Sequence, residues 1–158
     1  PGLTIWRFAM PRRIIYPPMW LLLGLAAVFA LDKSAPGLRF THTGWQLVGA
    51  IVIVAGLALL VLAGGLFKQA GTDMIPFRNV TALVTDGVYR FSRNPMYLGM
   101  VLVLLGTALT VGAASALVVP LVFALVVEWR YIRPEEDLLA AQFPGAFEAY
   151  RRRVRRWL

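Results

Sequence analysis

Apolar residues run along this chain in long unbroken blocks, not in short stripes with a helical or strand period. Such blocks mark helices bathed in lipid rather than helices with one face on a soluble core. Trp45 to Phe67 is 23 residues without a charge, enough to cross a ~30 Å hydrocarbon layer at about 1.5 Å per residue. Between Arg93 and Glu128 lie 34 more uncharged residues. One span does not need that length, so the block predicts a helical hairpin split at Gly112-Ala113-Ala114-Ser115, with arms of about 18 residues. A shorter apolar run, opening near Pro17-Pro18, predicts a further span. The predicted spans are thus about 14–31, 45–67, 95–111 and 115–132. They make a single domain over 1–158, an all-α, polytopic integral membrane bundle of four transmembrane helices.

Charge placement orients these spans. Lys and Arg total 16. Two of them, Lys33 and Arg39, fall in the loop after the first span; the others lie before it, between the second and third, or after the fourth. With both termini inside, this satisfies the positive-inside rule. The expectation is an integral protein of a bacterial cytoplasmic membrane, with termini and working face cytoplasmic. Arg7, Arg12 and Arg13 precede the first run, but no cleavage region of small residues follows it, so a cleavable signal peptide is not expected.

Within the spans, small residues recur at every seventh position, as Gly49, Gly56, Ala63 and as Gly99, Gly106, Ala113. Such seams let helix backbones approach in lipid, where packing drives association. Pro120 predicts a kink in the fourth span.

Composition narrows the chemistry. The chain is 59% hydrophobic and 15% charged, against about 25% charged in soluble domains. Without cysteine there is no disulfide, thiolate ligand or thiol nucleophile. The net charge of +8 reads as topology and contact with anionic membrane lipids, not nucleic acid. The lone His42 and the lack of convergent His, Asp and Glu predict no metal site.

Chemistry must then come from two polar segments, 85–99 and 128–156. In the first, Asp86-Gly87 marks a turn, and Asn94-Pro95 reads as N-cap and first residue of the third helix. That helix N-terminus, beside Arg93, suits an anionic group such as a carboxylate. In the second, a helix continuing through Pro134 puts Glu128, Tyr131 and Glu135 on one face at i, i+3 and i+7. A helix breaking there puts Glu135 and Glu136 in a first turn, where acidic residues are favoured. After Pro144-Gly145, a short amphipathic cytoplasmic helix sets Phe147, Tyr150, Val154 and Trp157 against arginines, a pattern suited to anionic lipid.

Together the segments resemble the membrane methyltransferase superfamily of isoprenylcysteine carboxyl methyltransferases and phospholipid N-methyltransferases. The pattern R-[HN]-P-x-Y-x-G is present as Arg93-Asn94-Pro95-Met96-Tyr97-Leu98-Gly99. A later Glu135-Glu136 is followed by Leu139, Phe143, Phe147, Tyr150 and a basic stretch from Arg151, while Gly71-Thr72 and Pro76 resemble the approach to the site. Two positions depart: Pro144 stands where glycine is usual, with Gly145 displaced by one, and Phe147 stands where tyrosine is usual. Asn94 in place of histidine removes a titratable group, so no general base is expected there.

The resemblance implies S-adenosylmethionine as methyl donor. It implies catalytic roles for Arg93, Asn94 and Glu135, and cofactor contacts from Tyr89, Arg93, Asn94, Tyr97, Leu98, Gly99, Glu135, Glu136 and Tyr150. Glu135 or Glu136 would accept the donor ammonium and Arg93 hold its carboxylate, with tyrosine faces near the sulfonium. With so little chain outside lipid, the methyl acceptor is expected to be lipophilic, lipid-like or prenylated, and to enter from the membrane. Two other readings stand beside this one: a nicotinamide-dependent sterol-type reductase, and a lipid-binding scaffold without catalysis.

Overall fold

The computed structural model describes residues 16–71 and 81–158. Ile14, Thr72, Pro76 and the basic residues Arg7, Arg12, Arg13 and Arg78 lie outside the described residues.

Apart from one isolated bridge, regular structure among the described residues is helical. Helix α1 (Pro17–Ser34) begins at the proline pair, which fits a first turn because those N–H groups have no helical partner anyway. Helix α2 (Thr43–Gln69) is 27 residues long, and His42 caps it, its Nδ1 accepting from the Gly44 N–H at 3.1 Å. Helix α3 (Pro95–Val111) again starts on a proline and stops at Gly112, whose φ of +73° only glycine adopts cheaply. A 3-10 turn, Ala114–Leu117, leads into α4 (Val118–Val127). A π-turn (Glu128–Ile132) then joins α4 to α5 (Arg133–Gln142) without a break, and α6 (Ala146–Arg153) follows a tight turn at Gly145. That turn holds Gly145 at φ +83°, which explains why glycine stands at 145 and Pro144 can precede it.

Two of these stretches, Thr43–Gln69 and Ala114–Gln142, are long and apolar enough to cross a membrane; α3 is apolar but 17 residues long. The last stretch runs ten residues beyond the expected end at 132. Pro120 lies in the first turn of α4 rather than mid-helix, and the irregular turn comes at Glu128–Ile132 instead.

Helices α2 and α3 run antiparallel along the small-residue seam. Gly49 faces Gly106 and Gly56 faces Gly99: a Cβ added at Gly49 would lie 2.6 Å from the Gly106 carbonyl oxygen, and one at Gly56 2.7 Å from that of Gly99. No side chain fits, so the backbones touch, and the attraction is close van der Waals packing. Helix α1 packs on α3 and α4 through a core containing Val28, Leu104, Ala108, Phe123 and Val127. At one end, the 35–42 connection is laced to the α3–α4 turn by Phe40 N–H to the Gly112 carbonyl and Ala114 N–H to the Leu38 carbonyl. Arg39 pairs there with Asp32 at 2.8 Å. The opposite end carries the polar segments.

Candidate functional site

The 85–99 segment enters through a 3-10 turn (Gly87–Arg90) that buries Tyr89 edge-on to Phe67, ring centroids 5.4 Å apart. Burial holds the Tyr89 phenol well above its ordinary range. Asn94 occupies the N-cap position of α3, but its side chain does not cap the helix. Instead its Nδ2 donates to the Arg156 carbonyl at 3.1 Å, and its own backbone N–H is taken by Ser92 Oγ at 3.1 Å. The neighbouring backbone does the same work: Arg93 N–H donates to the Arg155 carbonyl at 3.0 Å. The Arg-Asn-Pro motif therefore grips the C-terminal segment as an added edge.

Arg93 completes that grip. Its Nη1 donates to the carbonyls of Arg151 (3.2 Å) and Val154 (2.9 Å), while Nε and Nη2 donate to Glu136 Oε1 at 3.2 and 2.8 Å. Glu136 also receives Arg156, Nη2 to Oε2 at 2.7 Å, and Arg156 Nη1 reaches on to Glu128 Oε1 at 3.0 Å. Glu128 accepts in addition from Arg133 Nη2 and Trp157 Nε1, each at 3.1 Å. The Arg93 and Glu136 side chains are only 9% and 10% exposed, so this pair is desolvated, while Arg133 and Arg156 reach solvent; each carboxylate meets two guanidinium groups.

The helix does continue through Pro134, yet the expected face does not form. A π-turn holds one residue more than an α-turn, and each α residue advances about 100°. The extra residue rotates everything after Ile132, so Glu136, not Glu135, shares a partner with Glu128. Glu135 is turned instead toward α3, where its Oε1 accepts the Tyr97 hydroxyl at 3.1 Å. Among the described residues no cation pairs with it.

Glu135 and Tyr97 line a cavity of about 470 Å³ at this end of the bundle, within the usual ~300–1,000 Å³ of small-molecule sites. Its polar groups are Arg93, Asn94, Glu135, Glu136 and the tyrosines Tyr89, Tyr97 and Tyr150; its walls include Phe67, Leu83, Met96, Met100, Leu139 and Phe147. The Tyr150 hydroxyl donates to the Tyr89 carbonyl at 2.7 Å, and burial pushes it up to about 12. Phe147 is fully packed at 2% exposure, so a ring suffices at this position. The buried face of α6 thus rests on protein, with Arg151, Arg152 and Arg153 outward.

Seven of the nine residues expected at the site come together around the cavity. Leu98 and Gly99 do not: Gly99 points into the α2 seam, 2.9 Å from the Gly56 carbonyl measured from an added Cβ, and Leu98 is not a wall of the cavity. Their helical phase differs from that of Tyr97 by about 100° and 200°, which carries them off the cavity face. Met96 and Met100 were missed although they recur with Arg93 at i+3 and i+7. Tyr16, Pro17 and Pro18, at the start of α1, also line the cavity without any local signal in the sequence.

Among the described residues the two motifs thus join an arginine–glutamate network to a mostly apolar cavity at one end of a helical bundle. The phospholipid methyltransferase family model matches residues 45–146, and the chain belongs to that family. Over 76 residues it is 38% identical to a protein-S-isoprenylcysteine O-methyltransferase of Schizosaccharomyces pombe, covering 46% of this chain and 30% of that protein. It therefore spans less than a third of that relative. Over 63 residues it is 36% identical to an uncharacterized protein of Haemophilus influenzae, 40% of this chain and 100% of the other. No solved structure matches it.

Proposed function

We propose that the chain is an S-adenosylmethionine-dependent methyltransferase whose donor occupies the Glu135–Tyr97 cavity and whose acceptor is lipid-like or prenylated and enters from the membrane. The observation carrying this reading is Glu135: a carboxylate in a mostly apolar cavity, held by a phenol and without a cation partner among the described residues. A buried carboxylate so placed favours a cationic ligand group.

The residues present fit the donor. Glu135 accepts its ammonium. Arg93 has five N–H groups, four of them engaged with Glu136 and the tail carbonyls, and the fifth remains for the ligand carboxylate. Tyr89 and Tyr97 offer aromatic faces for a sulfonium. Met96, Met100 and Leu139 give the remainder an apolar wall. When bound, the donor supplies a methyl group made electrophilic by its sulfonium. The chain's own residues align the reactants, since among the described residues none of the cavity's side chains is arranged as a nucleophile and Asn94 does not titrate.

The names of the matched family and relative suggest a phospholipid amine or an isoprenylcysteine carboxylate as acceptor. In this reading the bundle has four spans in a bacterial cytoplasmic membrane. The site and termini are cytoplasmic, and the arginines of α6 meet anionic head groups. Calorimetric titration of the detergent-solubilised protein with S-adenosylhomocysteine and, separately, NADPH tests it. Binding of the adenosyl ligand is expected. Binding of the dinucleotide alone would support the reductase, and binding of neither would support a lipid-binding scaffold.

A further inference from the structure

The charge network extends beyond any group that touches the cavity. Glu128, Arg156 and Trp157 do not line it, yet they bracket the π-turn that sets the face on which Glu135 stands. In an unbroken α-helix, positions 128 and 136 would stand about 80° apart; the extra residue of the π-turn brings them to within about 20°. Arg156 exploits that alignment, with Nη1 on Glu128 and Nε and Nη2 on Glu136. Trp157 fixes the other oxygen of Glu128. Pro134 lowers the cost of the irregular turn, because it has no N–H to close the ordinary bond onto Arg130. In plain α register, Glu135 would fall on the Glu128 face and leave the cavity.

We propose that Glu128, Arg156 and Trp157 form a positioning clasp, in which the C-terminal tail locks the π-turn and thereby aims Glu135 at the donor ammonium. The proposal rests on the donor assignment above. The clasp acts on one part of the ligand. Releasing it weakens binding of the amino-acid arm, which Glu135 holds, and leaves binding of the adenosine part as it was.

That asymmetry is the test. Binding of S-adenosylhomocysteine and of 5′-methylthioadenosine, which lacks the amino-acid arm, is measured by calorimetry for the full chain and for Arg156→Ala. The variant should lose about tenfold in affinity for the first, the scale of one charge-assisted hydrogen bond, and less than about twofold for the second. Arg156→Lys keeps the charge but cannot bridge both carboxylates, so it should show the same pattern in a protein that folds even where the alanine variant does not. Equal losses for both ligands would reveal a merely structural role and overturn the clasp, as would unchanged affinities. If the unaltered protein binds neither ligand, the donor assignment falls and the clasp's role falls with it.

Discussion

Arg93 and Glu136 lie 43 positions apart in sequence and 2.8 Å apart in space, with both side chains about nine-tenths buried. Their pairing makes the Arg-Asn-Pro motif a staple as much as a ligand site, because the same guanidinium also holds two carbonyls of the tail. Arg93→Ala leaves Glu136 with Arg156 as its remaining guanidinium partner and takes the donor from the Arg151 and Val154 carbonyls. It should therefore destabilise the protein by about 1.5–3 kcal/mol, the scale of lost hydrogen bonds to a charged group, seen as a lower thermal midpoint in detergent before any ligand is added. A midpoint equal to that of the unaltered protein would mean the pair contributes only to ligand binding.

Glu135 should behave in the opposite way. Among the described residues its side chain is held by a phenol alone, so Glu135→Gln keeps the shape and an acceptor while removing the charge. Stability should change little. Affinity for S-adenosylhomocysteine should fall by about 2–5 kcal/mol, the cost of removing one partner of a desolvated charge pair. Calorimetry reads this directly. Undiminished affinity would show that the ammonium sits elsewhere.

The contrast between these adjacent glutamates was not legible in the sequence. Length and lack of charge locate the helices because lipid demands them, and Gly112 marks the hairpin because α3 must end on a left-handed residue. The seven-residue spacing of small residues likewise identifies the seam that α2 and α3 share. Periodicity assumes a constant advance per residue, however. The π-turn breaks that assumption between Glu128 and Ile132, so Glu136 takes the face Glu135 would hold in a straight helix and Glu135 is turned toward Tyr97 of α3. Pro134 and the two acidic residues were visible; that Arg156 would return from the chain's end to bridge them was not. Asn94 shows the same limit, since a residue suited to capping holds a distant carbonyl instead.

The seam gives a prediction that does not involve the cavity. At Gly56 and Gly106 an added Cβ would meet backbone atoms at 2.7 and 2.6 Å, and a backbone carbonyl cannot rotate away as a side chain can. Gly56→Ala and Gly106→Ala should each destabilise by about 1–3 kcal/mol through overpacking. Gly65, in the same helix, has nothing within 4 Å of an added Cβ, so Gly65→Ala should leave the midpoint unchanged or raise it. Three equal midpoints would mean the helices are not in contact along this line.

The last prediction concerns alkaline pH. Tyr150, at 3% exposure, donates to the Tyr89 carbonyl, and burial raises its hydroxyl to about 12 from about 10 in an unfolded chain. The fold therefore holds this proton more tightly than the unfolded state does. Its contribution to stability is complete below about pH 10 and is lost as the pH rises from there through about 12. Tyr150→Phe removes the hydroxyl and leaves the buried Tyr89 carbonyl without its donor, so at neutral pH it should cost about 0.5–1.5 kcal/mol. The variant should also lose less stability than the unaltered protein between about pH 9 and pH 11.5, because one of the groups that must ionise on unfolding is gone. Thermal midpoints at the two pH values measure both effects. If the alkaline fall is the same size with and without the hydroxyl, the Tyr150 proton is not part of what holds α6 against the 3-10 turn.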